Sequence, residues 1–253
     1  MSIRSMGLAL TWVLLSGQAL GDGDPLQSVM WDYYQPRFLG EAPYRFDDNV
    51  RISVPPFAED ARQVPISIDA TALGNEVVRI IAWAELNPIA RIFSFYPSGP
   101  VAPRISLNIR VEQATPIRAA VLTRDGIWHV GSARFDASGG GCTAPSAVRA
   151  EEGWEDRLGQ IFGARFAQGG EDNRSRLRLR VEHPMDNGLI GGIPEFYIER
   201  AELRDADGQV LARLEMQPSV SENPTLTLEL EGSSGNERLW LRDNGGNEFE
   251  AGF

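Results

Sequence analysis

Short runs in which apolar and polar residues alternate dominate this chain, and patterns with helical periodicity are scarce. In the clearest early example Ile105, Leu107 and Ile109 alternate with polar neighbours up to position 112. A period of two is typical of a strand with one buried face. Further runs of strand character, bounded by turn residues, lie at 64–68, 77–83, 117–122, 128–130, 196–203, 210–216, 226–230 and 239–241. The pattern predicts an all-β fold.

The strands group into two blocks. The second block begins with an amphipathic strand at 176–182, in which leucine and valine alternate with arginine and glutamate. Turn sequences at 124–126 and 205–208 predict a hairpin in each block. Between the blocks, charge and glycine dominate, and Trp154, Leu158, Ile161 and Phe162 recur at helical spacing. We therefore predict one β-sandwich over 22–142, a linker over 143–173 with a short amphipathic helix, and a second sandwich over 174–253.

The first residues have the composition of a secretory signal peptide. Arg4 supplies a positive charge, residues 8–15 are apolar, and Ala19-Leu20-Gly21 resembles a cleavage site. The apolar run is shorter than the about 20 residues of a membrane-spanning helix. We expect residues 1–21 to be removed and the mature chain to be exported to the periplasm.

The charge balance narrows the classes of partner. The formal net charge is −11 at pH 7, which argues against binding to nucleic acid or to an anionic membrane surface. The chain contains no lysine, which excludes a catalytic Schiff base and a Walker-type phosphate site.

The sole cysteine, Cys142, follows a run of three glycines, Gly139, Gly140 and Gly141. One cysteine cannot form an intrachain disulfide. The glycines provide conformational freedom, and residues 143–146 offer no apolar partner, so we expect an exposed thiol on a mobile arm. Extended from Phe135, such an arm reaches about 23 Å at ~3.3 Å per residue. A thiol of this kind suits covalent holding of a cargo, with activation supplied by a partner protein.

Enzymatic and metal-binding roles have weaker support. His129 and His183 provide possible bases for a cysteine nucleophile, but a glycine run does not hold a nucleophile rigidly, so we predict no enzyme activity. The histidines and Cys142 lack metal-ligand spacing, and we predict neither metal nor cofactor. The acidic segment Asp47-Asp48-Asn49 suits a solvated turn better than a calcium site. We assign His183 and Met185 structural roles only.

Several segments in order along the chain resemble two proteins of the sulfur-oxidation system. Residues 58–142 resemble SoxY through Ala58-Glu59-Asp60, Val64-Pro65-Ile66-Ser67, Asn87-Pro88 and Gly140-Gly141-Cys142. Residues 175–253 resemble SoxZ through His183-Pro184-Met185-Asp186-Asn187-Gly188, Ile193-Pro194, Ser221-Glu222-Asn223-Pro224 and Asp243-Asn244-Gly245-Gly246. The fused order is similar to that of SoxYZ-like carriers associated with quinoprotein dehydrogenases.

The resemblance implies two immunoglobulin-like sandwiches and a carrier that is not an enzyme. Cys142 would be the covalent attachment residue for a sulfur or other thiol-reactive intermediate, Gly139 to Gly141 the arm, and periplasmic oxidoreductases the partners. Here Thr143 follows the cysteine, whereas the SoxY arm ends the chain as Gly-Gly-Cys-Gly. An arm tethered at both ends sweeps a smaller volume than a free tail. This argues against the transport of thiosulfate-derived sulfur through a full set of Sox enzymes. Two alternatives remain: a non-covalent accessory protein of a periplasmic PQQ-dependent alcohol dehydrogenase, and a dimer joined through Cys142.

Overall fold

The computed structural model describes residues 23–137, 139–167, 174–232 and 235–253, so the predicted signal peptide lies outside the described residues. Within these residues, two short α-helices and two 3-10 helices accompany the strands. The helices are α1 (Trp31–Leu39), α2 (Trp154–Arg157) and the 3-10 turns Thr71–Glu76 and Val148–Ala150. The strands are β1 (Tyr44–Phe46), β2 (Arg51–Ser53), β3 (Val64–Asp69), β4 (Val77–Ala84), β5 (Arg91–Pro97), β6 (Val101–Ile109), β7 (Thr115–Thr123), β8 (Trp128–Phe135), β9 (Ile161–Ala167), β10 (Arg174–Val181), β11 (Ile198–Arg204), β12 (Val210–Met216), β13 (Thr225–Glu231), β14 (Arg238–Asp243) and β15 (Glu248–Gly252).

The strands form two sheets that face each other. The nine-stranded sheet has the order β1-β8-β7-β4-β5-β12-β11-β14-β15, and the six-stranded sheet has the order β2-β3-β6-β13-β10-β9. The N-terminal half, residues 23–142, supplies one end of each sheet, and the C-terminal half, residues 161–253, supplies the other. The all-β prediction of two sandwiches with a short helix between them is confirmed.

The two sandwiches share both sheets. Strand β5 pairs antiparallel with β12, with Phe95 opposite Leu214, and β6 pairs antiparallel with β13, with Ile105 opposite Leu228. One continuous apolar core therefore runs between the sheets from Val64 of β3 to the strands of the C-terminal half. Backbone hydrogen bonds and buried apolar surface across this junction hold the halves together.

Helix α1 covers the outer face of the nine-stranded sheet in the N-terminal half, and the sequence pattern did not predict it. Trp31 of α1 packs in a second apolar cluster that includes the fully buried Trp83 of β4. Beside it, the buried guanidinium of Arg118 forms ion pairs with Glu85 at 2.7 Å and with Asp24 at 2.7 Å. Within the described ranges, no helix is long and apolar enough to cross a membrane.

The segment between the halves differs from the prediction of a helix with apolar residues through Phe162. Helix α2 ends at Arg157, and Ile161 and Phe162 belong to β9, which pairs antiparallel with β10. A helix here is prevented because Gly159 has φ of +75° and its position abuts the ring of Phe249. The chain turns at this glycine and adds β9 to the edge of the six-stranded sheet.

Candidate functional site

The prediction of an exposed thiol at Cys142 is wrong. Only 2% of the residue is accessible to solvent, and the segment around it lies along the junction of the two halves. The glycine run brings the chain back onto the end of β6, where the amides of Gly140 and Gly141 donate hydrogen bonds to the carbonyls of Glu112 and Val111 at 3.0 and 3.1 Å. We call residues 139–147 the docked arm.

The three glycines of the docked arm have two structural tasks. Gly139 and Gly140 have φ of +104° and +83°, a region that strongly favours glycine. At Gly141 space is the constraint, because a Cβ there would lie 2.1 Å from the carbonyl oxygen of Ala61 and 2.4 Å from that of Val111. In this conformation the glycines permit a tight approach of the arm to the N-terminal half.

The side chain of Glu112 holds the arm from the N-terminal half. Its Oε2 atom accepts hydrogen bonds from the amides of Cys142 at 3.0 Å and Thr143 at 3.1 Å, and the Thr143 hydroxyl donates to Oε1 at 3.0 Å. Glu112 is itself positioned by Asn87, whose side-chain oxygen accepts its amide hydrogen at 2.9 Å. Charged acceptors make the stronger class of hydrogen bond, so this carboxylate is a substantial restraint on the arm.

The C-terminal half holds the other side of the arm through two of the segments that carry its resemblance to SoxZ. Asn187 donates its side-chain amide to the carbonyl of Cys142 at 2.5 Å. The Oε2 atom of Glu222 accepts hydrogen bonds from the Ser146 hydroxyl at 2.6 Å and the Ala147 amide at 2.7 Å. Two of the four segments that carry the SoxZ resemblance therefore form part of the surface on which the arm docks.

Arg110 lies at the centre of these contacts and is 2% exposed. Its guanidinium donates to the carbonyl of Ala144 on the arm at 3.2 Å and to that of Pro184 in the C-terminal half at 3.3 Å. The carboxylate of Glu222 lies 3.9 Å away. A single buried cation thus joins the N-terminal half, the arm and the C-terminal half.

Burial makes Cys142 a poor nucleophile while the arm is docked. Desolvation, reinforced by the negative charge of Glu112, raises the pKa of the thiol from 9.0 to about 12, and the positive charge of Arg110 offsets only part of this rise. Thiolate is the reactive form of cysteine. The docked arm therefore stores the thiol in its unreactive protonated form.

His183 is fully buried beneath the docking surface. Its Nδ1 atom accepts the amide hydrogen of Met185 at 3.1 Å, and its Nε2 atom lies 3.7 Å from Oδ2 of Asp243. Burial lowers the pKa of His183, although Asp243 acts in the opposite direction. The sulfur of Met185 accepts the amide hydrogen of Ile198 at 3.3 Å. Both side chains therefore make their contacts within the C-terminal half.

His129 occupies a separate position on β8. Its Nδ1 atom lies 2.7 Å from Oδ2 of Asp47, whose other oxygen accepts the amide hydrogen of Asn49 in a turn. No hydrogen bond joins either imidazole to the Cys142 thiol in the described part of the chain. The described part of the chain contains no group of three or more histidine, cysteine, aspartate or glutamate residues that could hold a metal ion.

The sequence pattern missed Arg110 and Glu112 as site residues, because the alternation from Ile105 placed them on the solvent face of a strand. The strand ends at Ile109, and the following residues turn toward the arm. The only signal was that charged residues flank the apolar Val111 directly after the strand, and this does not identify the segment that those side chains contact.

Comparison with protein families gives a matching division of the chain. The model of the sulfur oxidation protein SoxY matches residues 35–142, and the model of the sulphur oxidation protein SoxZ matches residues 167–253. The chain belongs to the SoxYZ-like family, with both domains fused. Cys142 is the last residue of the SoxY match. The docked arm therefore begins at the end of the SoxY domain and crosses to the surface of the SoxZ domain.

Solved structures with partial similarity include the sulfur carrier protein SoxY from Chlorobium limicola f thiosulfatophilum. It shares 18% identity with a TM-score of 0.37, and the match covers 42% of this SoxYZ-like chain and 90% of that chain. A putative membrane anchored protein from Corynebacterium diphtheriae shares 8% identity with a TM-score of 0.26, covering 82% and 57% of the two chains. No curated protein matches the chain.

Proposed function

We propose that this protein is a periplasmic carrier, not an enzyme, that holds a sulfur or other thiol-reactive intermediate covalently on Cys142 and presents it to partner oxidoreductases. The observation that carries the proposal is the position of the only cysteine: it ends the SoxY domain and lies on an arm held by hydrogen bonds rather than by a strand ladder. Gly139 to Gly141 are the proposed arm, and residues 1–21 the proposed export signal.

Loading of the thiol requires the arm to leave its docked position. Hydrogen bonds hold the arm, and none of residues 139–147 belongs to the two apolar core clusters, so the arm can open locally while both halves stay folded. Once released, the thiol loses its proton to solvent and attacks a divalent sulfur centre. A new S–S bond forms, and the displaced sulfur leaves with the electron pair of the bond that breaks, as in thiol–disulfide exchange.

Intact-mass measurement of the protein purified from its native periplasm tests this function. We expect adducts on Cys142 that a reducing agent removes, and none on a Cys142→Ser variant. A thiol that is unmodified under every growth condition would rule out the carrier function. A dimer band on a non-reducing gel that a reducing agent removes would instead indicate a disulfide between two copies of Cys142.

The burial of Cys142 favours a second candidate, a non-covalent accessory protein of a periplasmic quinoprotein dehydrogenase. In that role the docked arm would be a fixed part of the junction. Growth of a Cys142→Ser strain separates the two functions. A carrier loses growth on the substrate whose oxidation needs the cargo, whereas an accessory protein retains growth on alcohols and on reduced sulfur compounds alike.

A further inference from the structure

The outer face of the six-stranded sheet carries a groove of about 620 Å³ that crosses the junction of the two halves. It is lined by residues of five neighbouring strands, and its floor is polar. The lining residues used below are Arg104, Ser106, Asn108, Phe166, Arg176, Arg178, Thr227 and Glu229. We call this surface the junction groove.

Strand register explains the hydroxyl-rich floor of the groove. Arg178 lies opposite Thr227, Thr227 opposite Ser106, and Ser106 opposite Ser67. Residues in register on neighbouring strands share one face of a sheet. Arg178 therefore stands at one end of a row of three hydroxyl groups on β13, β6 and β3, in which the Ser106 hydroxyl donates a hydrogen bond to that of Ser67 at 2.8 Å. Such a row offers hydrogen bonds to polar groups of a bound chain.

The groove is positively charged although the protein as a whole has a formal net charge of −11. Three arginines line it against a single carboxylate among the described lining residues, Glu229. That carboxylate lies 3.3 Å from Arg104 and 3.2 Å from Arg176. Arg178 is exposed and makes no ion pair with a carboxylate of the described chain. A local cationic surface on an acidic protein favours a ligand of opposite charge.

An exposed aromatic residue, Phe166, lines one side of the groove. Phe166 is 53% exposed and lies opposite Arg176, and Phe162, which is 55% exposed, lies opposite Arg180 on the same face. Exposed aromatic residues beside arginines are typical of the anchors that contribute most to protein–protein interfaces. They favour a protein segment over a small inorganic anion as the occupant.

The groove ends close to the docked arm. The side-chain amide of Asn108 donates to the side-chain oxygen of Gln63 at 3.1 Å, and Gln63 donates to the carbonyl of Glu222 at 3.3 Å. The carboxylate of Glu222 holds Ser146 and Ala147 of the arm. A chain lying in the groove would therefore be next to the residues that keep the arm docked.

We propose that the junction groove binds an acidic, extended segment of the partner that exchanges cargo with Cys142, an inference that rests on the carrier function proposed above. Arg176 and Arg178 bind the acidic side chains, the hydroxyl row binds polar groups of the segment, and Phe166 packs against its apolar part. Docking beside Asn108 places the partner where the released arm emerges.

A fluorescein-labelled hexa-aspartate peptide tests the charge preference directly by fluorescence anisotropy at low ionic strength, with hexa-asparagine as the neutral counterpart. We expect only the acidic peptide to bind, and the double variant Arg176→Glu/Arg178→Glu to weaken its affinity by about tenfold. The matched control, Arg238→Glu/Arg242→Glu on β14 of the other sheet, has the same net charge and should bind as the wild type does. Equal affinity in both variants, or no binding of hexa-aspartate to the wild type, would overturn the proposal.

Adduct occupancy on Cys142 in the native host tests the link to cargo exchange. The groove variant should lose adducts. After denaturation, its Cys142 thiol should still react with a small alkylating reagent as the wild-type thiol does, which shows that the thiol itself is intact. Full occupancy in the groove variant contradicts the proposal. Absence of adducts from the wild type would instead refute the carrier function, and peptide binding alone would then decide whether the groove recognises acidic segments.

Discussion

Glu112 accepts the amide hydrogen of Cys142 at 3.0 Å, and its negative charge also opposes ionisation of the thiol on that residue. One carboxylate thus fixes the position of the arm and suppresses its reactivity. The backbone contact and the electrostatic effect act in the same direction, because both stabilise the protonated, docked state. Loss of the carboxylate should therefore favour release and ionisation together.

Replacement of Glu112 by alanine should raise the reactivity of Cys142. A thiol pKa of about 12 instead of 9.0 lowers the thiolate fraction near neutral pH by about a thousandfold. We expect Glu112→Ala to recover a large part of that factor in the rate of alkylation by iodoacetamide. Glu41→Ala, at an exposed position of the N-terminal half, is the control and should react at the wild-type rate. Equal rates in all three proteins would show that Glu112 does not hold the arm.

Two glycine substitutions should show whether docking of the arm depends more on close packing at Gly141 or on the positive φ at Gly140. In Gly141→Ala the new Cβ would meet the carbonyl oxygens of Ala61 and Val111 at 2.1 and 2.4 Å, so the arm cannot dock as observed. In Gly140→Ala the Cβ meets nothing within 4 Å, and only the φ of +83° opposes it, at a cost of about 1–2 kcal/mol. We expect faster alkylation of Cys142 in Gly141→Ala than in Gly140→Ala. The reverse order would mean that the positive φ at Gly140, and not close approach at Gly141, is the requirement for docking.

Much of the fold follows from the alternation of apolar and polar residues. In β10, Leu177, Leu179 and Val181 are buried while the arginines between them are exposed, as the period of two predicts. Strand β5 was not predicted because residues 92–95 are all buried, including the polar Ser94, so its sequence does not show one apolar face and one polar face. The joining of the two sandwiches into shared sheets was also not predicted, because strand pairing between distant segments leaves no periodic signal in the sequence.

The sequence singles out Cys142 but does not reveal the environment of its side chain. A glycine run before Cys142 is compatible with a mobile arm and with close packing, and local composition does not distinguish them. The deciding contacts come from Glu112, Asn187 and Glu222, which are 30, 45 and 80 positions away along the chain. Burial that depends on such distant partners is a property of the tertiary structure alone.

The buried ion pairs of Arg118 should be important for stability. Its side chain is 0% exposed and bridges Glu85 and Asp24, so Arg118→Met leaves Glu85 buried without its cation. We expect a loss of about 3–5 kcal/mol in the free energy of unfolding, measured by urea denaturation. The double variant Arg118→Met/Glu85→Leu should recover part of that loss. Arg134→Met at the exposed end of β8 should change stability by less than about 0.5 kcal/mol.

The stability of the protein should decrease as the pH falls below about 6.5 because of His183. Burial lowers the pKa of this histidine in the folded state from 6.5, so the unfolded chain takes up a proton at a higher pH than the native protein does. Its contribution is complete above pH 6.5 and is lost as the pH falls through the folded-state value, at up to about 1.4 kcal/mol per pH unit. Desolvation would raise the pKa of Asp243, but the nearby His183 and hydrogen bonds from Asn247 outweigh it and lower that pKa from 3.8, so Asp243 acts only in a more acidic range.

A His183→Gln variant separates this effect from the rest of the protein. Glutamine can keep a polar contact with the amide of Met185 but does not titrate. Urea denaturation at about pH 7.5 and about pH 5 should show a smaller loss of stability in the variant than in the wild type, whatever its absolute stability. If both proteins lose the same free energy of unfolding over this interval, the buried histidine is not the titrating group, and its pKa in the folded protein is close to that of an exposed imidazole.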